Sequence, residues 1–329
     1  MRVTLMVFIS VFTVAAYSSD VGTCNNRGDL DTPYCDQDKD LVADIPTDTT
    51  QQRNPDKLVF GWAPVEHPAA YEKLFNSYAV HLAKCTGKKV ELFKTKSHIE
   101  EIEAMRSGRI HIGRFATGQA AFAVNIAGAV PFGVKGDDER FHGYNLFMIV
   151  RKDSPYRKLT ALKGKTVAHV SSSSNSGHLA PMALFPSLGL TPGKDYKIVF
   201  SGKQDDSILG VKSGKYDAAS VASDSFYRMA ALGLIKEDDF RIVYISPTFP
   251  ADVIAYAHDL APPLRDQILK CTYNYRFDHE VRKTFADADR FYPVTYKKDW
   301  ELVRSVAALG DGLDRKAYDN LKKREKQDD

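Results

Sequence analysis

The sequence predicts an α/β protein with two lobes, each built on a β-sheet. From Lys57 onward, short apolar runs typical of strands alternate with segments that have the apolar spacing of helices. This alternation is typical of α/β folds with largely parallel sheets. A chain of 329 residues is also long enough for two domains of ordinary size.

The patterns place the elements along the chain. Strands are predicted at residues 57–63, 89–94, 109–114, 144–150, 166–170, 196–200, 216–221, 240–246 and 252–258. Helices are predicted between them, among others at residues 69–85, 97–105, 176–185 and 224–231. The segment before the first strand, residues 19–56, is poor in apolar residues and is predicted to be an acidic extension that adds nothing to the core.

The beginning of the chain predicts export. Arg2 precedes an apolar run from Val3 to Ala16, and small residues flank Tyr17. This pattern is typical of a secretory signal peptide, which we place at residues 1–18. The run is shorter than the roughly 20 residues that span a bilayer, which disfavours a membrane anchor.

The four cysteines fit an oxidising compartment. An even number of cysteines in an exported chain suggests two disulfides, for which three pairings exist. Proximity along the chain favours Cys24 with Cys35, which would leave Cys85 with Cys271. The net charge of +3 is small for a chain with 45 basic and 42 acidic residues. Nucleic acid is therefore not expected as a partner.

The extension contains one candidate metal site, the stretch "DQDKDLVAD". Its carboxylates stand at the first, third, fifth and ninth positions of a calcium-type loop: Asp36, Asp38, Asp40 and Asp44. Leu41 occupies the place of the usual turn glycine, and Thr47 stands where a glutamate is usual. The sequence leaves two alternatives open, a structural calcium site and a solvated acidic turn.

A serine tract is the strongest candidate for ligand binding. In "AHVSSSSNSGHLAP", residues 168–181, it follows a predicted strand and precedes a predicted helix, and ligands of open α/β sheets sit at such strand ends. Helix N-termini attract anions, and Ser174, Asn175 and Ser176 add neutral hydrogen-bond donors that suit a tetrahedral oxyanion. A flexible linker or a simple helix cap is the alternative.

Four segments together resemble a known family: "IEAMRSGRIHIGRFATG", "LTALKGKTVAHV", "SNSGHLAP" and "PGKDYKIVFSGKQDDSILGVKSGKYDAASVASDSF". They are similar to the periplasmic phosphonate, phosphite and phosphate binding proteins of the PhnD type, a family that includes arsenite-sensing relatives. The resemblance covers about residues 57–277. It implies a two-lobed, type II-like clam-shell with two hinge strands, with one lobe formed by residues 57–148 and 251–329 and the other by residues 149–250.

The resemblance also implies which residues face the ligand. They are Thr117, Tyr144, Ser174, Asn175, Ser176, Gln204, Asp224 and Asp252. Asp252 is expected to accept a hydrogen bond from a protonated phosphate and to repel an anion without a proton, because unmatched polar groups discriminate strongly. Gln204 follows Lys203 where the family often has a histidine, and Asp224 stands where a longer glutamate can recognise an amino group. These differences disfavour an aminoalkylphosphonate.

The expected function is a periplasmic solute-binding protein that captures phosphate, phosphite or a phosphonate for an ABC importer. The alternative is a periplasmic sensor of arsenite or phosphate that signals to a membrane histidine kinase. Arsenic(III) would need a thiolate, and the predicted cleft loops contain no cysteine. The sequence has no G-x-S-x-G elbow and no histidine pair at metal spacing, so an enzyme is not expected, and no cofactor is expected apart from the candidate calcium.

Overall fold

The computed structural model describes residues 24–63 and 68–328, without the side chains of residues 325–328. The predicted signal peptide and the loop predicted to follow the first strand at the cleft, residues 65–67, lie outside the described residues. Within the described part of the chain, no helix has the length and apolar character needed to cross a membrane.

The strands are β1 Lys57–Trp62, β2 Lys89–Lys94, β3 Ile112–Phe115, β4 Ala129–Gly136, β5 Gly143–Tyr144, β6 Leu146–Arg151, β7 Thr166–His169, β8 Lys197–Phe200, β9 Ala218–Ala222, β10 Phe240–Ile245, β11 Phe249–Pro250, β12 Val253–Ala257 and β13 Arg290–Pro293. The α-helices are α1 Pro68–Thr86, α2 His98–Arg106, α3 Thr117–Ala127, α4 Ala180–Leu184, α5 Gln204–Lys212, α6 Ser223–Ala231, α7 Pro262–Asn274, α8 His279–Thr284, α9 Tyr296–Asp299, α10 Glu301–Ala308 and α11 Arg315–Asp328. A π-helical turn, Asn175–Leu179, leads directly into α4.

Two sheets form the two lobes. The first has the order β13-β4-β12-β3-β1-β2, and the second has the order β10-β6-β9-β7-β8. The two-lobed α/β prediction is confirmed, but the expectation of largely parallel sheets is wrong. β1 pairs in parallel with β2 and β3, and β7 does so with β8 and β9, whereas β4, β6, β10, β12 and β13 all enter antiparallel pairings. β6 and β12, the first sheet strands after each passage between the lobes, run opposite to both of their neighbours, and β13 runs opposite to β4.

A short antiparallel ribbon marks the passage between the lobes. It pairs β5 with β11, with Tyr144 opposite Phe249. β6 then lies wholly in the second sheet, so the predicted lobe boundary between Met148 and Ile149 falls inside that strand. The chain enters the second lobe a few residues earlier than predicted, at the ribbon, and it leaves that lobe at the ribbon's other strand.

Helix α3 forms the centre of the molecule. All of its residues are buried, and one continuous apolar cluster includes Phe115 and Val253 of the first sheet together with Val167 and Ala218 of the second. Small residues such as Gly118 allow this helix to approach the second lobe closely: a Cβ atom there would lie 2.8 Å from the carbonyl oxygen of Ser173. The close approach positions the N-terminus of α3 against the serine tract.

The N-terminal segment packs on the first lobe. Leu30, Tyr34, Val42 and Ala43 are buried in the main apolar cluster, so the prediction that this segment adds nothing to the core is wrong. A disulfide between Cys24 and Cys35 closes its loop. The second disulfide joins Cys85 at the end of α1 to Cys271 in α7, and both predicted pairings are thereby confirmed.

Candidate functional site

A cleft lies between the two lobes, beside the ribbon. The structure brings all of the residues predicted to face a ligand to its walls: Thr117, Tyr144, Ser174, Asn175, Ser176, Gln204, Asp224 and Asp252. The sequence analysis did not identify four further polar residues of the walls, namely Tyr71, His98, Arg114 and Gln119. The space between the walls, including its open mouth, is about 600 Å³. Ligand contact by these residues remains a prediction.

The serine tract forms a capped helix start. The Ser174 hydroxyl accepts a hydrogen bond from the Gly177 N–H at 3.2 Å. The Ser174 carbonyl accepts from the N–H groups of both His178 and Leu179, at 3.0 and 2.9 Å. The bond from Leu179 spans five residues and makes the turn π-helical. The turn begins at Asn175, one residue before the predicted helix start. The first N–H groups of a helix have no partner within it and point outward from its end.

Asn175 occupies the most constrained position of this turn. Its amide nitrogen donates to the Tyr144 hydroxyl at 3.0 Å, and the residue is 3% exposed. Its side-chain oxygen is buried and has no hydrogen-bond partner among the described residues. Because a buried acceptor without a donor costs free energy, this oxygen suits the hydroxyl of a protonated oxyanion.

The buried side chain of Ser176 lies next to Gln204. The Gln204 amide donates to the Ser176 hydroxyl at 3.4 Å, and its oxygen accepts from the Ala222 N–H at 3.0 Å. Gln204 is therefore fixed by the backbone of β9 and presents its nitrogen to the cleft. Across the cleft, the Gln119 amide donates to the Ser173 hydroxyl at 2.9 Å and links the two lobes directly.

Thr117 and Asp224, two further predicted residues, also have partners within the protein. The Thr117 hydroxyl donates to the carbonyl of Pro250 in the ribbon at 2.8 Å, and the half-buried Asp224 accepts from the Ser225 N–H at 2.8 Å. Thr117 therefore fixes the ribbon to α3. Asp224 lies in the first turn of α6, and its carboxylate borders the cleft.

The first lobe contributes a buried cluster of charges around Asp252. Arg114 Nε donates to Asp252 Oδ2 at 2.9 Å, and Lys135 Nζ donates to the other carboxylate oxygen. The Tyr71 hydroxyl also donates to Asp252, at 3.2 Å. Burial raises the pKa of Asp252, but the charges and hydrogen bonds of Arg114 and Lys135 outweigh it and hold the pKa well below its usual range. The expected role of Asp252 as the acceptor for a ligand proton is thus disfavoured, because two cations already neutralise it.

His98 and Glu101 stand behind Arg114. Burial, helped by the Arg114 charge, lowers the pKa of His98 to about 3, so its imidazole is neutral at pH 7. Burial raises the pKa of Glu101 to about 8, against the lowering effect of Arg114, so this carboxyl group is mostly protonated at pH 7. The two side chains approach to 3.8 Å. Neither supplies a full charge to the cleft at neutral pH.

The residues around Asp252 differ in how far sequence patterns could have identified them. Arg114 ends a predicted strand, which is a position where ligands are usual, and could have been found from that placement. Lys135 lies on β4, which was not predicted because Pro131, Gly133 and Gly136 disrupt the strand pattern.

The acidic loop lies in the N-terminal segment, away from the residues that line the cleft. Carboxylate oxygens of Asp36, Asp38 and Asp40 lie within 4.8 Å of one another, whereas Asp44 is outside this group and accepts from the Gln37 N–H at 2.8 Å. Asp36 and Asp40 accept backbone hydrogen bonds within the loop, and burial raises the pKa of both. Calcium binding here remains a prediction.

Comparison with known proteins identifies the family. The profile of the family described as "ABC transporter, phosphonate, periplasmic substrate-binding protein" matches residues 60–300. A "Phosphonates-binding periplasmic protein" of Escherichia coli (strain K12) is 23% identical over 222 residues, which are 66% of this chain and 66% of that protein. About a third of each chain lies outside this match.

Solved structures show the same fold. PhnD1 from Prochlorococcus marinus, in complex with methylphosphonate, superposes with a TM-score of 0.67 at 18% identity and covers 78% of this chain and 98% of its own. A binding protein component of an ABC phosphonate transporter from Pseudomonas aeruginosa gives a TM-score of 0.64 at 20% identity and covers 82% of this chain and 95% of its own. The chain therefore belongs to the family of periplasmic substrate-binding proteins of phosphonate ABC transporters.

Proposed function

We propose that this protein is a periplasmic solute-binding protein that captures a phosphorus oxyanion of the phosphonate class and delivers it to an ABC permease. The proposal rests on the serine turn, by which we mean residues 174–176 at the start of the helix. Ser174, Asn175 and Ser176 border the cleft at the start of a helix, opposite the cationic wall that contains Arg114. A helix N-terminus together with a facing guanidinium favours an anion between them.

The polar groups of the cleft match a tetrahedral, partly protonated anion. Hydroxyl and amide donors can meet its unprotonated oxygens, and the buried oxygen of Asn175 can accept from its hydroxyl. A sulfate has no proton at neutral pH, so it would leave that acceptor unmatched. Discrimination of this kind is strong when the site is buried.

The relatives support the same reading of the cleft. One solved relative is described in complex with methylphosphonate, and the curated Escherichia coli relative is described as binding phosphonates. For the alternative function, a periplasmic sensor of arsenite or phosphate, the cysteines give no support to arsenite as the ligand. All four are in disulfides, so no thiolate is present to coordinate arsenic(III).

A panel of anions tests the proposal. The mature protein is titrated calorimetrically with phosphate, phosphite and methylphosphonate, and with sulfate as the control, and melting curves are recorded in parallel. We expect saturable binding of at least one phosphorus anion and a stabilisation of about 2.7 kcal/mol at a concentration 100 times its dissociation constant. Sulfate should bind at least tenfold more weakly. Binding of sulfate alone, or of none of these anions, would contradict the proposal.

A further inference from the structure

A buried pair of histidines lies next to the serine turn. His169 is the last residue of β7, and His178 belongs to the π-helical turn that follows the serine tract. They are 0% and 7% exposed, and their Nδ1 atoms are 2.9 Å apart. The lining of the cleft includes Val170 and Ser176 but neither histidine. The pair therefore lies behind the wall of the cleft.

The pair closes the loop that carries the serine turn. Residues 170–177 run from one histidine to the other, so the hydrogen bond between the two Nδ1 atoms joins the ends of this loop. One backbone hydrogen bond does the same, from the Val170 N–H to the Gly177 carbonyl at 3.2 Å. The ends are so close that a Cβ atom on Gly177 would lie 2.5 Å from the Val170 side chain. The two bonds therefore fix how widely the loop opens at its base.

Tyr196 fixes the orientation of the pair. Its hydroxyl lies 2.8 Å from Nε2 of His169, so both nitrogens of that ring have hydrogen-bond partners. Burial lowers the pKa of His178 to about 4 and that of His169 well below its usual value, so both rings are neutral at pH 7. The charges that act on His178 are those of Arg324 and Asp311, which form an ion pair with each other. A neutral imidazole has one donor and one acceptor nitrogen, so one hydrogen lies between the two Nδ1 atoms.

Packing alone does not require this chain of polar groups. Apolar side chains of similar volume would fill the same space, and a buried polar nitrogen is costly unless it has a partner. The hydrogen bond adds direction, because it fixes the distance and angle between the two rings, whereas apolar contacts are non-directional. A displacement of His178 would move Ser176, which lies two residues before it in the same turn. The groups that face the anion would then no longer converge.

We propose that His169 and His178 are positioning residues of the anion site: their hydrogen bond holds the serine turn in the shape in which its N–H and hydroxyl groups converge on a phosphorus oxyanion. The inference rests on the proposed function, since it assumes that the anion occupies the serine turn. The alternative is a purely structural pair, whose polar atoms satisfy one another within the core. Loss of a structural pair would lower the stability of the protein and leave the affinity of the folded protein unchanged.

The variant His169→Leu/His178→Leu/Tyr196→Phe separates the two interpretations. It removes the whole chain at once, so that no member is left without its partner, and such replacements can be nearly neutral for stability. We expect calorimetry to show that it binds phosphate, phosphite and methylphosphonate at least about tenfold more weakly than the wild type does. The loss should be similar for each anion that the wild type binds, because the serine turn contacts the oxygens that they share. Urea titration without ligand measures the stability.

Two single substitutions test the hydrogen bond itself. In His178→Asn the amide lies near the position of Nδ1 and can donate to His169 or accept from it, whereas the side chain in His178→Leu can do neither. His178→Asn should therefore bind the anions within about threefold of the wild type, and His178→Leu should bind them as weakly as the triple variant does. If His178→Leu does not fold because it leaves His169 without a partner, the triple variant still provides the measurement.

His111→Leu is the matched control. His111 is also a buried histidine, 8% exposed, and its Nδ1 accepts a hydrogen bond from the Val59 N–H at 3.0 Å, but it does not line the cleft. This variant should lose stability and keep its affinity for the anions. Wild-type affinity in the triple variant, or equal affinities in His178→Asn and His178→Leu, would overturn the inference while leaving the proposed function intact. Failure of the wild type to bind any of the three anions would instead contradict the proposed function.

Discussion

The hydroxyl of Ser176 illustrates how much of the cleft depends on single side chains. The residue is 2% exposed, and its hydroxyl lies within hydrogen-bond distance of the Gln204 amide. Its carbonyl accepts from the Ser220 hydroxyl at 2.6 Å, so the backbone of the turn has its own support. Removal of the side-chain oxygen should therefore affect the ligand more than the fold.

We expect Ser176→Ala to weaken anion binding by roughly 10- to 100-fold, because a hydrogen bond to a charged group contributes about 1.5–3 kcal/mol. The free energy of unfolding without ligand should change by less than about 1 kcal/mol. Calorimetry and urea titration measure the two quantities. Ser187→Ala, at an exposed serine of the same lobe, is the matched control and should change neither. An unchanged anion affinity in Ser176→Ala would exclude this hydroxyl from the site.

Glu101 gives a prediction for pH. Burial raises its pKa from 4.5 to about 8 in the folded protein. The folded state therefore holds a proton that the unfolded state releases above about pH 4.5, and the contribution of this group to stability is lost as pH rises toward 8. The loss amounts to at most about 1.4 kcal/mol per pH unit.

Glu101→Gln should remove this dependence. The free energy of unfolding of the variant should exceed that of the wild type by an amount that grows between pH 5 and pH 8. Urea titrations at several pH values measure the difference, and Glu237→Gln, at an exposed residue, serves as the control. Parallel stability curves for Glu101→Gln and the wild type would show that the buried carboxyl is not protonated in the folded state.

At the scale of elements, local patterns predicted the serine turn well. The strand β7 and the following helix start lie within one residue of their predicted bounds, because an apolar run, a polar tract and a helical pattern follow one another directly in the chain. The π-helical geometry could not be predicted, since it depends on one additional hydrogen bond to the Ser174 carbonyl.

Local sequence patterns could not predict the charge cluster of Arg114, Lys135 and Asp252, because its members are far apart in the chain. Arg114 and Lys135 are 138 and 117 residues from Asp252 in the chain, and only the sheet order brings β3, β12 and β4 side by side. The family resemblance predicted that Asp252 faces the ligand. Its neutralisation by two cations depends on tertiary pairing, which a single sequence does not reveal.

The acidic loop supports a prediction about calcium. Asp36, Asp38 and Asp40 bring three carboxylates together, and Leu41 adopts a left-handed backbone with φ of 71° at the position where calcium loops usually have glycine. Calcium should relieve the repulsion among these groups. We expect saturable calcium binding to chelator-treated protein and a higher melting temperature, with little effect on anion affinity.

Two variants make this measurement specific. Asp38→Asn should weaken calcium binding at least tenfold, whereas Asp44→Asn should retain it, because Asp44 lies outside the group of three. Calorimetric titration of all three proteins distinguishes the outcomes. Absence of saturable binding in the wild type would identify the loop as a solvated acidic turn.

At the scale of the whole molecule, the lobes meet at the N-terminus of α3. The Gln119 amide crosses to Ser173, and the Thr117 carbonyl accepts from the Trp300 indole at 3.1 Å, so this end of α3 is held from both sides. A ligand in the cleft would contact both lobes at this place. The closeness of α3 to the serine turn should therefore control ligand affinity.

Gly118→Ala tests this relation. The new methyl group would lie 2.8 Å from the Ser173 carbonyl oxygen and 3.4 Å from the Asn175 nitrogen, so the lobes would have to separate slightly. Within the first lobe, alanine stabilises a helix relative to glycine by up to about 1 kcal/mol. Overpacking costs about 1–3 kcal/mol. We expect the lobes to pack this closely only when ligand is bound, so the substitution should weaken anion binding by roughly 5- to 150-fold. The stability of the protein without ligand should fall by much less.

Solution scattering and calorimetry on Gly118→Ala measure compaction and affinity together. The variant should compact less than the wild type when methylphosphonate is added, and it should bind that ligand more weakly. Gly310→Ala is the matched control, because a Cβ atom there meets nothing closer than 3.7 Å and both properties should stay unchanged. The contrary result is that Gly118→Ala binds and compacts like the wild type. Ligand binding would then not require α3 and the serine turn to approach as closely as they do in this structure. Other contacts would have to determine how far the lobes close.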